Sequence, residues 1–154
     1  MKKKTILFGV IFLLALITLT GCGNKKAITT EKFKNLAKSN NLEILNATDE
    51  FENYSQVKEA TAAFKNNEWQ VEFYVLDTKE SAVGMFNTNK NIFDNSKNGV
   101  SSNFSVSLKN FESYTLKTDG YYKYVARIDK TLVYANVKET YETNAKDFIK
   151  KLGY

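Results

Sequence analysis

The chain has no histidine and no proline, and only one cysteine, Cys22, one tryptophan, Trp69, and one arginine, Arg127, in 154 residues. Without histidine it lacks the commonest general base and the commonest metal ligand. A lone cysteine closes no disulfide within the chain and builds no thiolate zinc site, so a Cys-His hydrolase and a zinc finger are both excluded. What is present suits one domain with a core of its own: 43% of the residues are hydrophobic and 14% aromatic, with 22 basic against 17 acidic side chains.

The N-terminus is patterned differently from the rest. Lys2, Lys3 and Lys4 precede an apolar run from Ile6 to Leu19 that is broken only by Gly9 and Thr18. This is a charged region followed by a hydrophobic one, and it is short against the roughly 20 apolar residues of a membrane span. The run ends in Leu19-Thr20-Gly21-Cys22, which resembles the lipobox of bacterial lipoproteins. The resemblance covers residues 1 to 26 and implies that the Cys22 thiol takes a diacylglyceryl group through a thioether. A signal peptidase then removes residues 1–21, which makes Cys22 the first residue of the mature protein. An uncleaved signal anchor with a free thiol is the alternative, and both place the remainder outside the cytoplasm. Two acyl chains, at about 0.8 kcal/mol per buried CH₂, suffice for stable attachment to a bilayer.

Loss of the leader takes three lysines with it and leaves 19 basic and 17 acidic side chains, a formal +2. A nucleic-acid role therefore loses its electrostatic footing as well as its compartment. Lys25 and Lys26 sit next to the lipid, within reach of anionic headgroups, although a solvated linker accounts for them equally simply. Residues 22–28 are expected to be the lipidated cysteine and a short tether, and residues 29–154 one globular domain.

Within that domain, Thr29 is placed as an N-cap with Ile28 and Phe33 at hydrophobic-staple spacing, opening a helix that ends near Asn40 and Asn41. A short strand is expected at 42–45. A two-residue Asn66-Asn67 turn would pair Phe64 with Trp69, Ala62 with Val71 and Ala60 with Phe73 on a buried face, leaving Glu59, Glu68 and Glu72 on a face toward water. Asp77 and Glu80 have capping-box spacing ahead of a helix over 78–95. Strands follow at 104–108 and 111–117. At Thr118-Asp119-Gly120 a three-residue loop sets Leu116 against Tyr122 and Tyr114 against Tyr124, keeping apolar with apolar, and is preferred to a two-residue Asp-Gly turn. Asp129-Lys130 then aligns Tyr122, Tyr124, Ala126 and Ile128 with Val137, Ala135, Val133 and Thr131, and a last helix runs from Tyr141 to Leu152. The expected class is α+β, with an antiparallel sheet of five to six strands, helices packed on one face, and the order helix, strands, helix, strands, helix.

Three patterns bear on chemistry. Ser55-Gln56-Val57-Lys58 has the spacing by which a lysine activates a serine in penicillin-binding enzymes, but it leads into a strand and has no companion motifs. Asp94-x-Ser96-x-Asn98-Gly99 is similar to the opening of an EF-hand loop, yet the closing position is Ser105 where a bidentate Glu is required, so a polar loop with a left-handed Gly99 explains it better. Paired carboxylates are numerous, and none stands in a distinctive motif. On the last hairpin, Tyr121, Lys123, Arg127 and Tyr134 alternate away from the core face and form the candidate ligand-binding surface. These readings point to a membrane-tethered, noncatalytic binding or interaction module on the extracytoplasmic side, without cofactor or metal. Its partners would be the membrane, through the lipid, and an envelope protein or ligand; a small envelope hydrolase using carboxylates is the alternative. The lysine and asparagine bias suits an AT-rich, Gram-positive host.

Overall fold

A computed structural model of the protein describes residues 24–66 and 68–154. The leader and Cys22 lie outside the described residues. Chain order is α1 (Thr30–Ser39), β1 (Glu43–Asn46), a 3-10 turn (Thr48–Phe51), β2 (Val57–Lys65), β3 (Trp69–Leu76), α2 (Lys79–Asn95), β4 (Ser102–Ser107), β5 (Phe111–Thr118), β6 (Tyr121–Ile128), β7 (Thr131–Lys138), a second 3-10 turn (Glu139–Tyr141) and α3 (Glu142–Leu152). The α+β class and the antiparallel sheet agree with expectation. The strand count does not: the sheet has seven strands, and the two 3-10 turns mean that the expected element order fits only in part.

Local chemistry accounts for the helix ends. The Thr29 side chain accepts the Lys32 N–H at 3.2 Å and starts α1, and Asn41, at φ 55°, stops it by leaving the helical region. For α2 the cap is Thr78, which accepts from Ser81 N–H at 3.0 Å, while Asp77 instead accepts from the Thr78 N–H. Gly153 ends α3 in the left-handed conformation at φ 89°, where a side chain would be strained.

The strands lie in the order β1-β2-β3-β7-β6-β5-β4, so a three-stranded and a four-stranded meander meet at the antiparallel β3–β7 pair. Helices cover both faces of this sheet, not one. On one face Phe33 and Ala37 of α1 and Phe148, Ile149 and Leu152 of α3 pack on Val71, Phe73, Tyr122, Tyr124, Ala126 and Val133. Phe33 stacks on Phe73 at 5.2 Å and meets Phe148 edge-on at 5.8 Å. On the other face Ala82, Phe86 and Phe93 of α2 pack on Tyr74, Leu76, Tyr114, Leu116, Val125 and Leu132.

Burial on both sides explains the two registers that differ from expectation. Tyr122 pairs with Lys117 and Tyr124 with Thr115, so Asp119 (φ 51°) and Gly120 (φ 73°) form the two-residue turn, with both residues in the left-handed region. Leu116 and Tyr114 are thereby turned to the α2 side while Tyr122 and Tyr124 face α1 and α3, and matching apolar to apolar across the hairpin loses its force. At the β2–β3 hairpin Lys65 pairs with Trp69 and Ala63 with Val71, one residue from the expected register. That slip moves a whole set of side chains to the other face. The β6–β7 register is as expected, Tyr122 with Val137 through Ile128 with Thr131.

Candidate functional site

α2 runs over β3, β7, β6 and β5, which leaves the same face of β1 and β2 to be covered, among the described residues, mainly by the first 3-10 turn. Strand β2 carries Ala60 and Ala62 there, side chains too small to fill the space beneath. The result is a cavity of about 220 Å³ with Ala60, Ala62, Gln70, Glu72 and Tyr74 as its floor and Leu45, Ala47, Glu50 and Phe51 as its wall. Its lining holds two carboxylates, Glu50 and Glu72, and no basic side chain.

Strand alternation puts Gln70, Glu72 and Tyr74 in one row on this face. Gln70 Nε2 donates to Glu72 Oε1 at 2.7 Å, and the Tyr74 hydroxyl donates to Glu72 Oε2. Both carboxylate oxygens are therefore engaged, and the group is fixed in orientation with lone pairs still facing the cavity. Burial, and after it the adjacent Glu72 charge, hold the Tyr74 phenol far above its ordinary value; Tyr134 is raised by the same two causes in the same order. Phe51 meets the Tyr74 ring edge-on at 5.5 Å and continues to the exposed Tyr54 at 6.0 Å. The arrangement offers aromatic edges and oriented acceptors with a net negative charge, which suits a cationic or hydrogen-bond-donating guest.

The sequence-predicted surface is not assembled as expected. α2 covers that side of the last hairpin. Arg127 is buried at 5% exposure, and its Nε donates to Glu112 at 2.6 Å, its register partner on β5, while Nη1 meets no acceptor among the described residues. Tyr134 packs on Phe93 of α2 at 5.4 Å, and Lys123 donates to Ser96 Oγ at 2.5 Å. Tyr121 alone stands exposed, at the far end of β6. Of the four, Tyr134 pairs with a cavity residue, as the register partner of Glu72 across β3 and β7. Glu72 itself, expected to face water, is half-buried in the cavity. Sequence reading missed the cavity because it assumed one wet face; the signal available was the Gln70-Glu72-Tyr74 alternation opposite an alanine-rich strand.

The other patterns resolve into structural roles. Lys58 Nζ bonds the backbone carbonyl of Ser55 at 2.9 Å, so the lysine addresses the main chain and not the serine hydroxyl. Asp94 receives the Tyr114 hydroxyl and an ion pair from Lys97 at 2.6 Å, while Thr118 ties both the N–H and the carbonyl of Asn98, and Gly99 is left-handed at φ 58°. Burial alone would push the Asp94 carboxyl up, but the hydrogen bonds from Lys97 and Tyr114 outweigh it and leave the group below its ordinary value. A lysine at the carboxylate opposes a cation there. Among the described residues no group of three or more possible ligands gathers for a metal ion.

With this geometry in view, comparison with known proteins adds little. No family model matches the chain. A search of curated proteins finds no relative. Among solved structures, the extracellular domain of PknH from Mycobacterium tuberculosis is similar in outline, with a TM-score of 0.38 and 8% identity over 82% of this chain and 92% of that one. No helix among the described residues is long and apolar enough to cross a membrane.

Proposed function

We propose that the protein is a lipid-anchored, noncatalytic binding module on the extracytoplasmic face of the membrane, whose acidic, aromatic cavity over β1–β3 takes a basic side chain from an extended segment of an envelope partner. The observation that carries this reading is Glu72 held between Tyr74 and Gln70 in a cavity without cations. A carboxylate fixed by two donors is an oriented acceptor, and a basic guest gains charge-assisted hydrogen bonds there together with contact to the rings of Phe51 and Tyr74. β1 is an edge strand, so an extended segment lying along it would bring its side chains over the cavity rim at Leu45, which is 49% exposed. The lipobox resemblance supports the anchoring half of the proposal.

A photo-crosslinking side chain at Leu45, introduced into the full chain in its native host, tests the binding half. The reading predicts an adduct with an envelope protein that is lost in Glu50→Gln/Glu72→Gln and absent when the crosslinker is placed at the exposed Ile92 on α2. Equal adducts at both positions contradict it. Glycan turnover abolished by Glu72→Gln would support the hydrolase instead.

A further inference from the structure

The residues from Lys25 onward do not form a free stalk. The Lys25 N–H donates to Asn110 Oδ1 at 3.0 Å, Asn110 Nδ2 returns a bond to the Lys25 carbonyl at 2.7 Å, and Lys25 Nζ donates to the Gly153 carbonyl at 3.1 Å while lying 3.8 Å from the Phe111 ring centroid. Ile28, also assigned to the tether by the sequence, is 7% exposed within the core. Three peptide steps separate Cys22 from Lys25, so an acylated Cys22 lies within about 11 Å of a residue fixed to the domain. Residues Lys25 to Ala27 are flanked by two depressions of about 410 and 420 Å³, at the end of the sheet where β3 and β6 finish and β5 and β7 begin.

The charge lining these depressions is one-sided. The two depressions are lined by Lys25, Lys26, Lys32, Lys79, Lys109 and Lys151 against one carboxylate, Asp129, which accepts from Asn110 Nδ2. Lys25 and Lys151 are engaged by neutral oxygens, the latter by Asn40 Oδ1 at 2.5 Å. Lys26, Lys32, Lys79 and Lys109 are exposed, and among the described residues their amines enter no ion pair or side-chain hydrogen bond. At the opposite end the depression around Gly120 holds Lys117 with Asp119 and Glu139, and Lys117 is ion-paired to Glu142 at 2.6 Å. Lys97, Lys117 and Lys146 are ion-paired elsewhere, whereas the lysines lining these two depressions enter no ion pair among the described residues.

We infer that this lysine-rich end is a docking surface for the anionic headgroups of the bilayer that holds the lipid, fixing the domain upright with the β1–β3 cavity accessible from the side. The inference rests on the anchored reading proposed above. Each lysine seated at an anionic surface shifts the population about fivefold toward the docked orientation, within a Debye length of the membrane.

The test uses the full chain from a bacterium that processes lipoproteins, with intact mass reporting acylation. It is reconstituted into vesicles of phosphatidylcholine alone or mixed with phosphatidylglycerol. A fluorophore is carried by Lys130→Cys at the basic end or Ser101→Cys at the opposite end, the thioether at Cys22 leaving the new thiol unique, and headgroup quenchers read its distance from the surface. Quenching is expected to favour position 130 over position 101 several-fold in the anionic vesicles, to lose that preference at high salt or in Lys26→Glu/Lys79→Glu/Lys109→Glu, and to be weak in phosphatidylcholine. An acylated chain whose two ends quench alike in both vesicles overturns the docking surface and leaves the anchor standing; an unacylated chain overturns both.

Discussion

Arg127 is the residue at which sequence and structure lead to opposite experiments. Read as an outward cation, it would be reversed to Glu in order to abolish partner binding. In the structure its side chain is 7% exposed and paired with a Glu112 side chain that is 26% exposed, on the sheet face that α2 covers. Arg127→Glu would place two carboxylates opposite each other across β5 and β6, and any partner lost would report unfolding. The informative change is Glu112→Ala, which leaves a buried guanidinium without its counter-ion while Nη1 already lacks an acceptor among the described residues. Breaking such a pair costs about 3–5 kcal/mol, and the partial exposure of Glu112 favours the lower end, about 3 kcal/mol. For a domain of this size that lowers Tm by about 10 °C. Urea and thermal denaturation followed by Trp69 fluorescence and far-UV circular dichroism measure it. Glu112→Leu/Arg127→Met, which removes both charges, should be close to neutral or stabilising. A loss below about 1 kcal/mol in the single variant, or a double variant as unstable as the single one, would refute the reasoning.

Phe33→Ala removes a fully buried ring that contacts both Phe73 and Phe148, and should cost about 3–5 kcal/mol in the same denaturation experiments. Alkaline titration followed by tyrosine absorbance should show a delayed fraction. Burial raises Tyr74, Tyr122 and Tyr154 and pushes Tyr124 up to about 12, so the stability these phenols contribute is full below about 10 and lost as pH rises toward 12, where their ionisation should coincide with unfolding. At the acid end, Asp94 and Glu142 lie below their ordinary carboxyl values, Glu142 because bonds from Lys117 and Lys146 outweigh its burial. Their contribution is complete above the ordinary carboxylate range and disappears as pH falls through the folded values. Asp94→Asn and Glu142→Gln should flatten that slope by at most about 1 kcal/mol each, since both pairs reach solvent.

How far the sequence reached depended on how local the deciding interaction was. Thr29, Ile28 and Phe33 settle the start of α1 among themselves, and the β6–β7 register follows from a tight turn, with Asp129 at φ 50°, and four consecutive matched pairs on one face. The β5–β6 register was misread because Leu116 and Tyr114 are as buried as Tyr122 and Tyr124, on the opposite side. A strand covered on both faces carries no alternation from which to choose. The position of α2 is a tertiary outcome of the same kind. Its own stripe of Ala82, Phe86 and Phe93 gives the buried side of the helix but not the side of the sheet it packs on. The Gln70-Glu72-Tyr74 alternation was legible but the space over it was not, since the cavity is defined by what β2 lacks: alanines at 60 and 62 leave a space that exists only once α2 lies elsewhere.

Intact-mass measurement of the protein extracted from native-host membranes tests the proposed anchoring through Cys22 most directly. A mass corresponding to a chain that begins at Cys22 and carries a diacylglyceryl group is the predicted result. A full-length chain from Met1 without acyl groups would contradict it.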